Sequence, residues 1–196
     1  MIIGISGKMG SGKDYVCQYL INPLIQKYNK SYLQVSFADQ IKVNVMTKCE
    51  VSFSDVYVNK TNETRTLLQQ EGTERGRDIF GKDIWIKYLH NWILVYKSRG
   101  IQCFVCPDVR FKNELEYIKS QGGIVIRINA PKRNLQRLEK ESGGDKNTMN
   151  ILQSHISECD LDNYENFDLV IDNDNNNLNH YKQQLENIIQ KKLLYT

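Results

Sequence analysis

The sequence predicts an α/β fold, a three-layer domain in which a five-stranded parallel sheet lies between helices. Three observations carry the prediction. Short apolar runs recur along the chain without the in–out alternation of half-exposed strands, as expected of strands buried on both faces. Helical stretches separate these runs, so the strands are joined by crossovers and run parallel. The first junction is a strand, a glycine-rich turn and a helix in direct succession.

In chain order, the first strand is the apolar run 1–6, Met-Ile-Ile-Gly-Ile-Ser, followed by a helix over about 13–28. A second strand over 32–37 leads into a helix over about 38–48. Two helical stretches, about 62–78 and 83–98, follow with no strand between them. The third strand, 102–106, precedes a helix over 111–121, and the fourth, 123–129, precedes one over 131–140. The last strand is 168–171, with a closing helix over 177–193. Glu141–Lys146 reads as a flexible polar turn, and the Asn-rich stretch 172–179 is too short for a disordered tract. No internal repeat is evident, and the whole of 1–196 reads as one domain. Open parallel sheets bind ligands at the carboxyl ends of their strands, so candidate residues are sought just after each strand.

The first such place is Gly7-Lys8-Met9-Gly10-Ser11-Gly12-Lys13-Asp14. Gly7 and the Gly12-Lys13 pair have the spacing of a phosphate-binding P-loop, and the strand before and helix after it are the required context. Glycines let the backbone turn tightly and aim successive N–H groups at phosphate oxygens. The helix N-terminus adds about half a positive charge. Lys13 adds a full charge that reaches the outer phosphates. Asp14 stands where Ser or Thr normally binds Mg²⁺. A carboxylate there can hold Mg²⁺ directly or through water, but repels phosphates unless the metal lies between them. With the sheet, the motif gives a three-layer P-loop NTPase domain.

Composition sets outer bounds. The 196 residues are 40% hydrophobic and 25% charged, ordinary for a globular domain. A net charge of +3 is too mild to argue for a nucleic-acid partner, but suits local basic clusters facing small polyanions. No apolar run approaches ~20 residues, so no membrane span is expected. The first strand begins at Met1, so no signal peptide is expected, and the protein is expected in the cytoplasm. Five scattered cysteines favour a reduced compartment. Cys103 and Cys106 form an isolated Cys-x-x-Cys inside an apolar run and read as buried thiols rather than a metal or redox pair.

Further candidates follow the other strands. Asp39 either caps the next helix or serves the substrate side, and Lys42 lies one turn on. In Pro107-Asp108-Val109-Arg110, Asp108 is either a helix cap or a group that holds Mg²⁺ through water or from behind its direct ligands, and Arg110 either a surface ion pair or a phosphate clamp. Segment 63–85 gathers Arg65, Gln69, Arg75 and Arg77, with Arg65 and Gln69 on one helical face. Guanidinium and amide groups suit a phosphate and a base edge, and a solvated helix face is the competing reading. Trp85 and Trp92, seven apart, read as core. Around Gly143-Gly144, the residues Lys132, Arg133, Arg137, Lys140 and Lys146 form either a closing basic flap or an ordinary charged helix. His155 has no partner evident in the sequence and reads as structural.

Together these residues resemble the P-loop nucleoside-monophosphate kinases, most closely the deoxynucleoside monophosphate kinases of viral and phage type. The resemblance spans nearly the whole chain. It rests on Gly-Ser-Gly-Lys-Asp at 10–14, Phe37-Ala-Asp39 with Ile41-Lys42, Arg65-Thr-Leu-Leu-Gln69 with Gly72-Thr73, and Ile84-Trp85-Ile86. Pro107-Asp108-Val109-Arg110, His155-Ile-Ser-Glu158 and Asp168-Leu-Val-Ile-Asp-Asn173 complete it. Similar kinases carry Gly-Lys-Asp, so Asp14 is no anomaly.

The resemblance implies ATP and Mg²⁺, a deoxynucleoside monophosphate acceptor of unspecified base, and products ADP and a deoxynucleoside diphosphate. It assigns ATP to Gly7, Lys8, Met9, Gly10, Ser11, Gly12, Lys13 and Asp14, with Arg133 and Arg137 as lid arginines within about 131–158. The loop 172–174, with Asn173, passes the adenine. Asp14 and Asp108 arrange the metal. Asp39, Lys42, Arg65, Gln69, Arg77, Trp85 and Arg110 serve the acceptor, most of them in the helical segment 38–98. Lys13, Asp108, Arg110, Arg133 and Arg137 act in transfer. A homodimer is compatible, and no nucleic acid or membrane partner is expected. The Lys-, Asn- and Ile-rich composition fits an AT-rich genome such as that of a large DNA virus or phage, in which case the location is host cytoplasm.

The stretch from Ser157 to Asn173 also resembles animal phosphomevalonate kinase, which shares Gly-Lys-Asp and Asp-x-Arg but not Gly72-Thr73…Trp85. Dephospho-CoA kinase is a third alternative. A non-catalytic nucleotide-binding switch module is the alternative of another class. It would keep the loop but have no need of Asp108, Arg110 and the basic flap.

Overall fold

In a computed structural model, residues 1–174 and 178–194 are described. They form two compact units, one of Met1–Gln34 with the chain from Gly100 onward, the other of Val35–Arg99.

The first unit holds a five-stranded sheet in the order β2-β3-β1-β4-β5. The strands are β1 (Ile2–Ser6), β2 (Tyr32–Gln34), β3 (Cys103–Val109), β4 (Ile124–Asn129) and β5 (Leu169–Asp172). All four pairings are parallel. β1 is central, and every one of its residues is buried, which explains its unbroken apolar character. β2 ends at Gln34, three residues earlier than expected, and β3 runs three residues further than expected, through Pro107 and Asp108. Pro107 lies in β3 next to the point where the β1–β3 register shifts, between Gly4 and Ser6.

The helix after β1 is α1 (Lys13–Val16), a π turn over Cys17–Ile21, and α2 (Asn22–Lys27). With α12 (Leu178–Leu194) it covers one face of the sheet, where Val16, Leu20, Ile21, Ile25, Leu185 and Ile189 pack on Ile3, Ile5, Val105 and Ile126. The expected start of α12 at 177 lies outside the described residues. On the other face α8 (Lys112–Ser120) buries Leu115 and Ile118, and a Cβ on Gly4 would lie 2.6 Å from Ile118 Cδ1. Helix, sheet and helix make the three layers. Cys103 and Cys106 are both buried in β3. Two helices follow β4 and its turn: α9 (Pro131–Ser142) and α10 (Lys146–Ser154), separated by Gly143 and Gly144 at positive φ.

The second unit is helical: α3 (Asp39–Cys49), α4 (Phe53–Tyr57), α5 (Asn62–Gly72), a π turn over Thr73–Arg77, α6 (Asp78–Phe80) and α7 (Ile84–Ser98). The helix expected over 62–78 is thus interrupted by a π turn. Gly76 lies in that turn against the Trp85 ring, and a Cβ there would be 2.7 Å from the Glu71 carbonyl oxygen. Trp85 is buried as expected, but Trp92 is 47% exposed and corrects the reading of both tryptophans as core. Its indole N–H donates to Gln40 Oε1 at 3.2 Å. Among the described residues no helix is long and apolar enough to cross a membrane.

Candidate active site

The glycine-rich turn lies at the carboxyl end of β1, between the ends of β3 and β4. Ser6 is in register with both Val109 and Arg127, so residues on three strands open at one level. Gly10 and Gly12 have φ of 82° and 86°. Glycine is also required there by crowding: a Cβ on Gly10 would lie 2.7 Å from Arg137 Cβ, and one on Gly12 2.5 Å from Asn173 Nδ2. Helix α9 and the loop after β5 therefore press on the turn.

Lys13 folds back over this turn, its ammonium donating to the carbonyls of Gly7 at 2.7 Å and Lys8 at 3.0 Å. Its pKa is lowered to about 8, first by burial and then by the Arg110 charge, against the opposing pull of Glu158 and Asp14. A poorly solvated ammonium beside another cation is a strong attractor for an anion. Asp14 is exposed in the first turn of α1. Asp108 is half-buried near the end of β3, where its Oδ1 accepts from the Cys106 thiol at 3.2 Å. Burial, then Asp14, and more weakly Asp108, push the Cys17 thiol up to about 12, so both carboxylates act on the same region behind the turn. Two exposed or half-exposed carboxylates fit Mg²⁺, which takes one or two from a protein and its other oxygens from phosphates and water.

Arg110 pairs with Glu158. Arg133 lies near the turn, its Nη1 3.6 Å from where a Gly12 Cβ would be, and Arg137 pairs with Glu141 one helical turn on. The backbone N–H groups of Lys132 and Arg133, at the start of α9, donate to the two carboxylate oxygens of Asp174 at 2.7 and 3.2 Å. Asn173 is 1% exposed and donates from Nδ2 to the Ser11 carbonyl at 2.8 Å. Its side chain braces the turn from within.

Four residues at or beside the turn were assigned no role from the sequence. Arg127, on β4, donates to Ser6 Oγ at 3.0 Å and to Asp162 at 3.2 Å; its signal was a single cation inside Ile124-Val-Ile-Arg-Ile128. Asp162 also holds Lys8 at 2.6 Å. Asn134 Nδ2 donates to the Met9 carbonyl at 2.6 Å. Glu158 Oε2 accepts from the Met9 backbone N–H at 3.1 Å. Beside the turn, a cavity of about 680 Å³ is lined by Lys8, Arg127, Asn134, Leu138, Leu152 and Asp162 among others.

In the second unit, Asp39 Oδ1 accepts from Lys42 Nζ at 3.3 Å and from Tyr57 O–H at 3.1 Å, and the Lys42 ammonium lies 4.2 Å from the Tyr57 ring centre. Arg65 and Gln69 are one turn apart on α5, half-buried and exposed. Arg77 and Trp85 meet at Gly72, whose carbonyl accepts from Arg77 Nη1 at 3.1 Å and Trp85 Nε1 at 2.8 Å. Trp85 is 3% exposed and packs within this unit. Glu71 is buried, its Oε1 accepting from Asn44 at 2.8 Å and Lys48 at 2.6 Å. His155 starts the short helix α11 (Ile156–Cys159), its Nδ1 accepting from the Ser157 N–H at 3.3 Å.

The sequence profile of the family described as deoxynucleotide monophosphate kinase matches residues 25–185. A protein of Acanthamoeba polyphaga mimivirus, named a putative deoxynucleotide monophosphate kinase, is 28% identical over 203 residues, covering 93% of each chain. Among solved structures, the protein designated APE1195 superposes with a TM-score of 0.50 at 16% identity, over 97% of this chain and 95% of that one. Shikimate kinase from Acinetobacter baumannii gives 0.49 at 17% identity, over 97% and 93%.

Proposed function

Since the chain belongs to the deoxynucleotide monophosphate kinase family and so phosphorylates a nucleoside monophosphate from ATP, we propose how its residues divide that work. The observation that carries the reading is the convergence of Lys13 and Arg110 on the glycine turn at the carboxyl ends of β1 and β3.

The turn's N–H groups and Lys13 hold the donor's phosphates, with Arg133 and Arg137 on α9 beside them. Asp14 and Asp108 hold Mg²⁺, whose role is to offset phosphate charge. Arg110 takes the acceptor phosphate, and Arg65 and Arg77 serve the acceptor. Gln69 meets the base, while Asp39 and Lys42 serve the sugar–phosphate side. An oxygen of the acceptor monophosphate attacks the γ-phosphorus as the bond to the bridging oxygen breaks, giving ADP and a nucleoside diphosphate. The acceptor oxygen is already anionic, so no general base is needed. The residues contribute position and positive charge. Residues 131–158 act as a lid, and the deoxy form of the acceptor is preferred.

The test is ADP formation measured with dTMP, dGMP, dCMP, dAMP, the ribonucleotides and phosphomevalonate in parallel. Turnover with one or more deoxynucleoside monophosphates is expected. Lys13→Ala should lower kcat by roughly 100-fold or more, because the charge it neutralises grows in the transition state. Turnover with phosphomevalonate alone, or none with any acceptor, overturns the assignment.

A further inference from the structure

Glu158 has no part in the division of labour above, yet its carboxylate grips two of the groups assigned to phosphate. Oε2 accepts from the Met9 N–H of the turn at 3.1 Å, and Oε1 pairs with the Arg110 guanidinium. Its side chain is 10% exposed. Amides of such a turn and a guanidinium both favour an anionic oxygen, and carboxylate and phosphoryl oxygens are acceptors of the same kind. One N–H and one guanidinium edge cannot serve both at once.

We propose that Glu158 is an internal stand-in for a phosphate oxygen: it keeps the Met9 amide and Arg110 assembled, and gives them up when a phosphoryl group arrives. This rests on the reading of the turn as a phosphate site. The place of Glu158 in the chain gives the exchange a consequence. It lies on α11, directly after α9 and α10. Asp160 accepts from the Lys112 N–H at 2.7 Å, and Asp162 holds Lys8 and Arg127. These contacts keep the segment attached while the Glu158 contact is exchanged. Phosphate occupancy is thereby felt at the carboxyl-terminal root of the α9–α10 pair.

The experiment is calorimetric titration of inorganic pyrophosphate into the wild-type protein and into Glu158→Gln and Glu158→Ala. Glutamine keeps the size and removes the charge. If the carboxylate competes, both variants bind pyrophosphate more tightly, by about fivefold or more. A purely structural role predicts equal or weaker binding, and that result overturns the proposal. Binding by wild type without tightening in the variants removes only the role of Glu158. No binding by any of the three removes the phosphate site and the proposal with it. Wild type alone provides a second measurement should the variants fail to fold. Saturating pyrophosphate should shift the side-chain carboxyl ¹³C resonance of Glu158 and the Met9 amide resonance together. A Glu158 carboxyl signal that stays in place overturns the proposal.

Discussion

Lys13 shows how a single residue ties sequence to chemistry. Its position was legible because glycine spacing and a following helix constrain where a phosphate-facing lysine must stand. Its environment was not, since burial and the approach of Arg110 belong to the folded chain. With a pKa near 8, Lys13 is charged below that pH and loses its proton above it. We therefore expect kcat/KM for ATP, which reports the free enzyme, to fall as pH rises through about 8. The limb in kcat should lie higher, because bound phosphates favour the ammonium. Initial rates between pH 6 and 10 check this, and a level kcat/KM to pH 9.5 contradicts it. Asp108 and Arg110 were legible for a related reason: they follow an apolar strand. The roles of Arg127, Asn134, Glu158 and Asp162 were not, because their contacts at and beside the turn span separations of 35 to 154 residues, from Arg127–Asp162 to Lys8–Asp162.

At the scale of elements, the long periodic helices were readable and the short ones were not. α4 has a capping box, with Ser52 accepting from the Asp55 N–H and the Asp55 carboxylate accepting from the Ser52 N–H; that Ser-x-x-Asp is its one local signal. Five residues are too few to show a period. α10 follows an Asp145 cap, but its polar sequence hid it inside an expected flap. The π turns at Cys17–Ile21 and Thr73–Arg77 are invisible to a 3.6-residue period, since each shifts the face by only part of a turn. The second π turn closes on Trp85 so tightly that Gly76→Ala must displace the ring or the backbone. We expect that substitution to lower stability by about 2 kcal/mol, read from the urea midpoint. An unchanged midpoint would mean that the turn relaxes freely.

For the whole molecule, the layer architecture was legible because strands buried on both faces announce themselves as unbroken apolar runs. The strand order was not, because nothing local states that β1 lies between β3 and β4. A ligand that binds the folded sheet ends and not the unfolded chain must stabilise the fold by mass action. ADP with Mg²⁺ at 100 times its Kd should add about 2.7 kcal/mol. For a chain of this size the melting temperature should rise by roughly 5–10 °C. Lys13→Ala should lose most of that rise, and a melt indifferent to ADP would count against the phosphate site.

The central place of β1 also bears on how the protein is made. Of the five strands it is the earliest synthesised, yet both of its neighbours, Cys103–Val109 and Ile124–Asn129, emerge about 100 or more residues later. A ribosome adding roughly 5–20 residues per second therefore leaves Ile2-Ile3-Gly4-Ile5 without sheet partners for about 5–25 seconds. Until then the glycine turn has no β3 or β4 beside it, so nucleotide cannot assist the nascent chain before the sheet closes. Loss of the strand pairing by early termination would leave an apolar β-prone segment with open edges, the kind of surface that chaperones bind and aggregates recruit.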